Sequence, residues 1–294
     1  MEHEFNRKRK VDDDDNDEIS NRDFSIKFIK IKEKENSLLI NENKPFEFER
    51  NKIYNMDCLE GMKYIPNECV DVIITDPPFS IDLDKKKTQY NRKVDKVLEG
   101  YCEISDEDYR VFTQRWISQA YRILKTTGSM FVFSGWNKLK DVLLALDEVG
   151  FITINHLIWK FQFGVYTKRK FVTSHIHVLF VCKNEKKRKF YPSSRFESFA
   201  KDESNHSLRY RDMEDVWDIK REYWRDELKT PTKLPSEIVR KCLAYTSQLG
   251  DFILDPFLGS GQVAVLAKEM GRQFGGFEIC KLYFEFAQQR LYLK

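Results

Sequence analysis

Residues 70–79 read Val-Asp-Val-Ile-Ile-Thr-Asp-Pro-Pro-Phe, an apolar run of strand formers closed by an acid, two prolines and an aromatic ring. A near-continuous apolar run of this length predicts a parallel strand buried on both faces. Pro77 and Pro78 lack amide donors and fix φ, so the chain must leave the sheet stiffly after Asp76. The strand therefore ends in one carboxylate, a rigid pair of carbonyls and the ring of Phe79. In open α/β sheets that end of a strand is where ligands bind.

A second stretch of the same kind lies far along the chain. Residues 252–261 read Phe-Ile-Leu-Asp-Pro-Phe-Leu-Gly-Ser-Gly. A strand runs into a tight glycine turn, then a helix from about Gln262 to Met270 stopped by Gly271, then a strand from Phe274 to Phe277 with Glu278 at its end. Strand, Gly-x-Gly turn, helix, strand and acid form the pattern of a nucleoside-binding βαβ unit. Gly259 and Gly261 let a ligand approach the backbone closely, and Glu278 stands where an acid reaches a ribose diol. There are two glycines, not the three of the dinucleotide fingerprint, which disfavours a nicotinamide or flavin cofactor.

Between these stretches, strands and helices alternate. Ile53 and Tyr54 open a strand, and Leu59 to Tyr64 make one or two helical turns. Ser105 is expected to cap a helix carrying Tyr109, Phe112, Trp116, Ala120 and Ile123 at helical spacing, with Gly128 ending the element before a strand at 129–133. A helix over 138–149 with Gly150 as its stop, a strand over 151–159 and a strand over 177–182 follow. Ser236 is expected to cap a further helix ending at Gly250, and a last helix starts near Lys281. This rhythm predicts a parallel α/β sheet.

The chain has 294 residues and a formal net charge of only +3, so charge distribution says more than its total. Six cysteines form no CxxC pair, which argues against a zinc site or a disulfide framework and fits a reducing compartment. No membrane-length apolar run and no apolar signal core are present, so a cytoplasmic location is expected, or a nuclear one in a eukaryotic source. Residues 1–20, with Arg7-Lys-Arg-Lys10 beside an acidic run, read as a disordered charged tail. Residues 21–50 read as an extension of unreadable role, alternating loosely as a strand pair turning near 34–37. Residues 80–100 form a polar loop with Lys85, Lys86, Lys87 and Arg92 directly after the Asp76 turn. Residues 160–189 hold nine Lys/Arg, among them Lys168, Arg169 and Lys170, against the single acid Glu185. Phe161, Phe163, Tyr166 and Phe171 are interleaved there, a combination suited to phosphates and exposed bases. His175 and His177 alternate on a strand, and without a third ligand no metal site is expected.

Asp-Pro-Pro-Phe79 together with Asp-Pro-Phe-Leu-Gly-Ser-Gly261 resembles the S-adenosylmethionine-dependent amino methyltransferases of DNA, which modify adenine N6 or cytosine N4. The catalytic motif precedes the glycine motif with a basic region between, an order similar to the beta group of these enzymes, whose core is circularly permuted. Asn55-Met-Asp-Cys-Leu-Glu60 and Thr230-Pro-Thr-Lys-Leu-Pro235 resemble two further cofactor segments of that family. In the second, Thr230 replaces a usual His, and Lys233-Leu234 stands where Gln-Lys is usual. The resemblance covers about residues 51–294.

What it implies is a Rossmann-like α/β fold, a mostly parallel seven-stranded sheet with helices on both faces and one antiparallel strand. Residues 51–159 would form the catalytic half, 160–229 the target-recognition region and 230–294 the cofactor half. S-adenosyl-L-methionine would be held by Asp57, Cys58, Thr232, Lys233, Asp255, Phe257, Gly259, Ser260, Gly261 and Glu278. Asp76, Pro77, Pro78 and Phe79 would form the catalytic turn, with the Asp76 carboxylate and the Pro77 carbonyl accepting from the target amine and Phe79 stacking on its ring. The substrate implied is double-stranded DNA with the target base flipped out, gripped by basic residues such as Lys85–Lys87, Arg92 and Lys168–Lys170. The resemblance leaves room for a homodimer and for a restriction endonuclease partner. Asp76 before the prolines favours adenine N6, because cytosine N4 enzymes more often carry Ser there. Cytosine N4, RNA as substrate and a non-catalytic DNA-binding subunit remain as alternatives.

Overall fold

The computed structural model describes residues 46–79, 104–161, 168–222 and 233–292. The charged tail, the strand pair expected before residue 46, the basic loop with Lys85, Lys86, Lys87 and Arg92, and Thr232 lie outside the described residues. The chain divides into two compact units, 1–46 and 47–294, and only Phe46 of the first is described.

In chain order the second unit runs β1 (Lys52–Tyr54), α1 (Cys58–Lys63), β2 (Val70–Thr75), α2 (Tyr109–Ile123), β3 (Leu124–Ser134), α3 (Leu139–Val149), β4 (Ile152–Lys160), β5 (His175–Cys182), α4 (Leu208–Asp212), β6 (Val216–Asp218), α5 (Ser236–Thr246), β7 (Phe252–Asp255), α6 (Gln262–Glu269), β8 (Gln273–Phe277) and α7 (Lys281–Tyr292). The strands form one sheet in the order β1-β8-β7-β2-β3-β5-β4-β6. Only β5 among them is antiparallel to its neighbours, as expected, and β6 adds an eighth, three-residue strand at the edge. β1 pairs with β8, Lys52 opposite Gly275. The first and last strands of the unit are therefore neighbours, which is the arrangement a circularly permuted core requires.

Alternation along the strands places helices on both faces. Val72 and Ile74 of β2, Phe131 and Phe133 of β3 and Ile253 of β7 pack with α5, α6 and α7. Ile73, Met130, Val132, Phe252 and Leu254 point the other way, into a cluster with α1, α2 and α3. All six residues of β2 are buried, as a central parallel strand requires. The cost of burying Asp71 there is offset by Lys125 at 2.7 Å, Lys189 at 3.1 Å and the Phe252 amide at 3.0 Å.

Three boundaries differ from expectation. Ser105 does not start the long helix: its hydroxyl accepts from the Asp108 amide in a separate turn, and α2 begins at Tyr109. Gly128 lies within β3, where the pairing with β2 shifts register and a Cβ would stand 2.7 Å from the Asp71 carbonyl oxygen. Ser236 is the first residue of α5 rather than its cap, and α5 stops at Thr246, with Gly250 in a later turn at φ 80°.

Candidate active site

β1, β8, β7 and β2 are parallel and consecutive, so their carboxyl ends line one edge of the sheet. Each chain leaving that edge carries an acid: Asp57 after β1, Glu278 after β8, Asp255 as the last residue of β7, and Asp76 after β2. None of the four forms an ion pair among the described residues. A row of carboxylates without basic partners, at a ligand-binding edge, suits a cationic or hydroxyl-rich ligand.

Three of the acids are tied down by the backbone. Asp57 caps α1, its Oδ1 accepting from the Leu59 amide at 2.7 Å and the Glu60 amide at 3.3 Å. Glu278 accepts from the Gly259 amide at 2.8 Å and the Cys280 amide at 2.7 Å, so it fixes the glycine turn. Burial moves its pKa up, against the pull of the backbone donors around it. Asp255 Oδ1 accepts from the Thr75 hydroxyl and the Phe257 amide, both at 3.1 Å. Burial lifts the Asp255 pKa to about 8, against the pull of those two donors and with some help from Asp76 and Glu278. The Thr75 bond joins the two motifs directly, since Thr75 immediately precedes Asp76.

The glycines have separate tasks. Gly261 has φ 76°, and a Cβ there would stand 2.8 Å from the Cβ of Ala287 on α7. Gly259 has φ 53°, yet a Cβ would meet nothing nearer than 3.9 Å. Gly261 is thus needed for packing, and Gly259 leaves an open cradle beside Glu278. Phe257 lies against Phe112 and edge-on to Trp116, with ring centroids 5.8 and 5.5 Å away.

The Asp76 turn is built differently. Asp76 Oδ1 is sealed from solvent and has no hydrogen-bond partner among the described residues. Burial alone lifts its pKa to about 7. Pro77 is buried, and Pro78 and Phe79 are half-buried. The Asn137 side chain donates to the Phe79 carbonyl at 3.2 Å, and the Phe79 ring lies over Gly135, 3.7 Å from where a Cβ would be. The loop between β3 and α3 therefore holds the end of the Asp76 turn.

Other expected site residues sit further back. The Cys58 side chain is in the core, its thiol pushed up by burial. Lys233 pairs with Glu222 at 2.9 Å. The same carboxylate accepts from the Ser236 amide and hydroxyl at 2.7 and 2.9 Å. Ser236 Oγ accepts from Gln262 at 2.8 Å, and Gln262 accepts from Arg290 at 2.6 Å. Arg290 also donates to the carbonyl of the buried Ser260 at 2.5 Å. This chain of polar groups braces the glycine turn from behind. Asn55 adds another brace, donating to the Glu278 carbonyl at 2.7 Å. Asn137, Gln262 and Arg290 carried no local sequence signal, and Asn55 lay in a quoted motif without a role of its own, because each acts on a partner far away in the chain.

Among the basic-region residues, Lys168, Arg169 and Lys170 are exposed. Phe161 is buried, with the Arg221 guanidinium 3.7 Å from its ring centre, so it is not an aromatic face for a base. His156 and His177 share a hydrogen bond of 2.8 Å, and the ring of His175 stands edge-on to that of His177. No group of three His, Cys, Asp or Glu among the described residues could hold a metal ion.

Residues 70–289 match a family model described as DNA methylase, of the N6/N4 class. The chain is 30% identical over 256 residues to the type II methyltransferase M2.LlaDCHI of Lactococcus lactis subsp. cremoris, covering 84% of this chain and 92% of that protein. Among solved structures it is similar to the M1.HpyAVI–SAM complex, with a TM-score of 0.56, 23% identity and coverage of 82% of this chain and 98% of that one. It is also similar to the cytosine-N4-specific PvuII DNA methyltransferase, with a TM-score of 0.64, 16% identity and coverage of 84% and 88%. At these identities the structural likeness speaks to the fold.

Proposed function

The chain belongs to the N6/N4 family of DNA methylases, and from that premise we propose that it transfers a methyl group from S-adenosyl-L-methionine to the exocyclic N6 amine of adenine, in a base flipped out of double-stranded DNA. The observation that carries the reading is the Oδ1 of Asp76, which has no partner among the described residues and stands at the end of a row of carboxylates that form no ion pair among them. Its neighbours fit a sulfonium nucleoside. The acids face the ligand edge without cations, and Gly259 leaves space for close approach.

When bound, the cofactor supplies a methyl group on a positively charged sulfur. Glu278 would take the ribose hydroxyls, Asp57 the adenine edge, and Asp255, Phe257, Gly259 and Gly261 would surround the remainder; Lys233 and Ser260 would act through the polar chain that braces this turn. Asp76 and the Pro77 carbonyl accept the two hydrogens of the target amine. Holding both hydrogens localises the nitrogen lone pair, which the aromatic ring otherwise delocalises. Phe79, fixed by Asn137, stacks on the base. Transfer of the methyl from sulfur to the amine nitrogen would leave one proton to be removed from that nitrogen, and the Asp76 carboxylate, with no other donor on its Oδ1 among the described residues, is the group to accept it. Positioning supplies most of the barrier reduction. Residues 160–229 serve as the target-recognition region, with Lys168, Arg169 and Lys170 on phosphates.

Adenine is preferred to cytosine because a carboxylate, not a hydroxyl, precedes the prolines. Incubation of genomic DNA with the protein and methyl-labelled cofactor, followed by nucleoside mass spectrometry, tests this. Labelled N6-methyldeoxyadenosine is expected. Labelled N4-methyldeoxycytidine would overturn the adenine assignment, and label in RNA alone would overturn the DNA assignment.

A further inference from the structure

Phe171 is 99% exposed. Few large aromatic side chains of a folded protein stand wholly in water, and one that does has apolar surface to cover on binding. It follows Lys168-Arg169-Lys170, all three exposed, and precedes Val172, also exposed. This short stretch lies in the connection between β4 and β5, which is closed at its base by the Phe161 amide and the Ser174 carbonyl at 2.9 Å.

The topology places that connection on the side of the sheet where the chemistry is. β4 is antiparallel to β5, which is antiparallel to β3, and β3 is parallel to β2. The carboxyl end of β4 therefore emerges on the same edge as Asp76. The registers agree: Lys160 opposes His175, and His177 opposes Ser134, the last residue of β3, directly before Gly135 and Asn137, which hold Phe79. Three exposed cations and one exposed ring thus lie in a connection that opens on the same edge of the sheet as Asp76.

We propose that Phe171 is the wedge of base flipping: while Lys168 and Arg169 hold the phosphates, its ring enters the duplex stack at the target pair and fills the space that the extruded base leaves. Apolar side chains inserted between base steps are a general way of offsetting the cost of unstacking. The ring makes no contact with the reacting atoms. Its role is to hold the flipped state open, and it rests on the DNA methylation reading above.

The test uses the full chain and synthetic duplexes carrying the site read from methylated DNA of an expressing host. Each duplex is made in two forms, one intact and one with an abasic position opposite the target base, where extrusion is nearly free. The wild type is expected to methylate both. Phe171→Ala is expected to lose about 10- to 100-fold in kcat/KM on the intact duplex and to recover to within about threefold of wild type on the abasic duplex. Phe171→Trp should keep activity on both. Lys168→Ala/Arg169→Ala, by contrast, should weaken both duplexes equally and flatten the salt dependence. An unchanged melting temperature of Phe171→Ala is expected, since the ring buries nothing. Equal activity of Phe171→Ala and wild type on the intact duplex would overturn the wedge, as would an equal loss on both duplexes. Failure of the wild type on both would overturn the DNA methylation reading itself.

Discussion

Two strand ends meet at the centre of this sheet and are built in opposite ways. After β7, Asp255 has two donors, the turn is closed by glycines, and Glu278 accepts from two backbone amides. After β2, Asp76 has a sealed oxygen with no partner among the described residues, in a turn stiffened by two prolines. One end is complete without its ligand, and the other is not. A binding acid gains from being held in place beforehand, because a fixed acceptor loses little entropy when the ligand arrives. An acid that must take a hydrogen from a poor nucleophile gains from having no other donor to release. On the proposed function, the difference between the two ends would separate holding from reacting.

The largest effect that could break this division is at Asp76. Asp76→Ala is expected to lower kcat by about 1,000-fold or more, a size typical of removing a preorganised polar group at a reacting centre, with melting temperature retained. Radiolabel transfer to DNA measures it, and activity within tenfold of wild type would contradict the assignment.

The glycine turn offers a sharper contrast inside one motif. Gly261→Ala is expected to destabilise by about 1–3 kcal/mol, since it combines a positive φ with a 2.8 Å approach to Ala287. Gly259→Ala, in open space, should cost less stability and show its effect as weaker cofactor binding. Chemical denaturation and calorimetry separate the two, and a larger stability loss at 259 would reverse the roles given to them.

Protonation gives a third test. Asp76 and Asp255 have folded pKa values of about 7 and about 8, above the ordinary 3.8. Between those limits the folded protein binds more protons than the unfolded chain, so the ligand-free protein loses stability as pH rises through this window. Asp76→Asn removes one of the two groups. Its melting temperature should exceed that of wild type at pH 8 and approach it as pH falls to about 4. A difference independent of pH would contradict the raised Asp76 value.

The smallest effect is expected at Asn137, which touches Phe79 only through a carbonyl. Asn137→Ala should raise the KM for DNA about three- to tenfold with little change in cofactor affinity, as expected for the loss of one neutral hydrogen bond.

The strand ends were legible in the sequence because burial on both faces leaves a continuous apolar run, and because proline and glycine mark where each run stops. The alternating order and the acids at the strand ends followed from the same signals, whereas one antiparallel strand was implied only by the family resemblance, and the registers identify it as β5. What could not be read depends on partners distant in the chain. Ser105 and Ser236 have the composition of helix caps, yet Ser236 serves Glu222 and Gln262 instead. Lys233 had its place in a motif, but nothing local revealed that Glu222 would take its charge. Phe161 and Phe171 look alike among the same basic residues; only tertiary packing makes one core and leaves the other in water.

Single-turnover methyl transfer at saturating cofactor, measured side by side for Asp76→Asn and Glu278→Gln, tests the division between reacting and holding most directly. The expected result is that Asp76→Asn binds cofactor within a few-fold of wild type and forms no methylated base, while Glu278→Gln binds cofactor more weakly but transfers at the wild-type rate once saturated. Full transfer by Asp76→Asn, or a transfer defect in Glu278→Gln that saturation does not relieve, would contradict it.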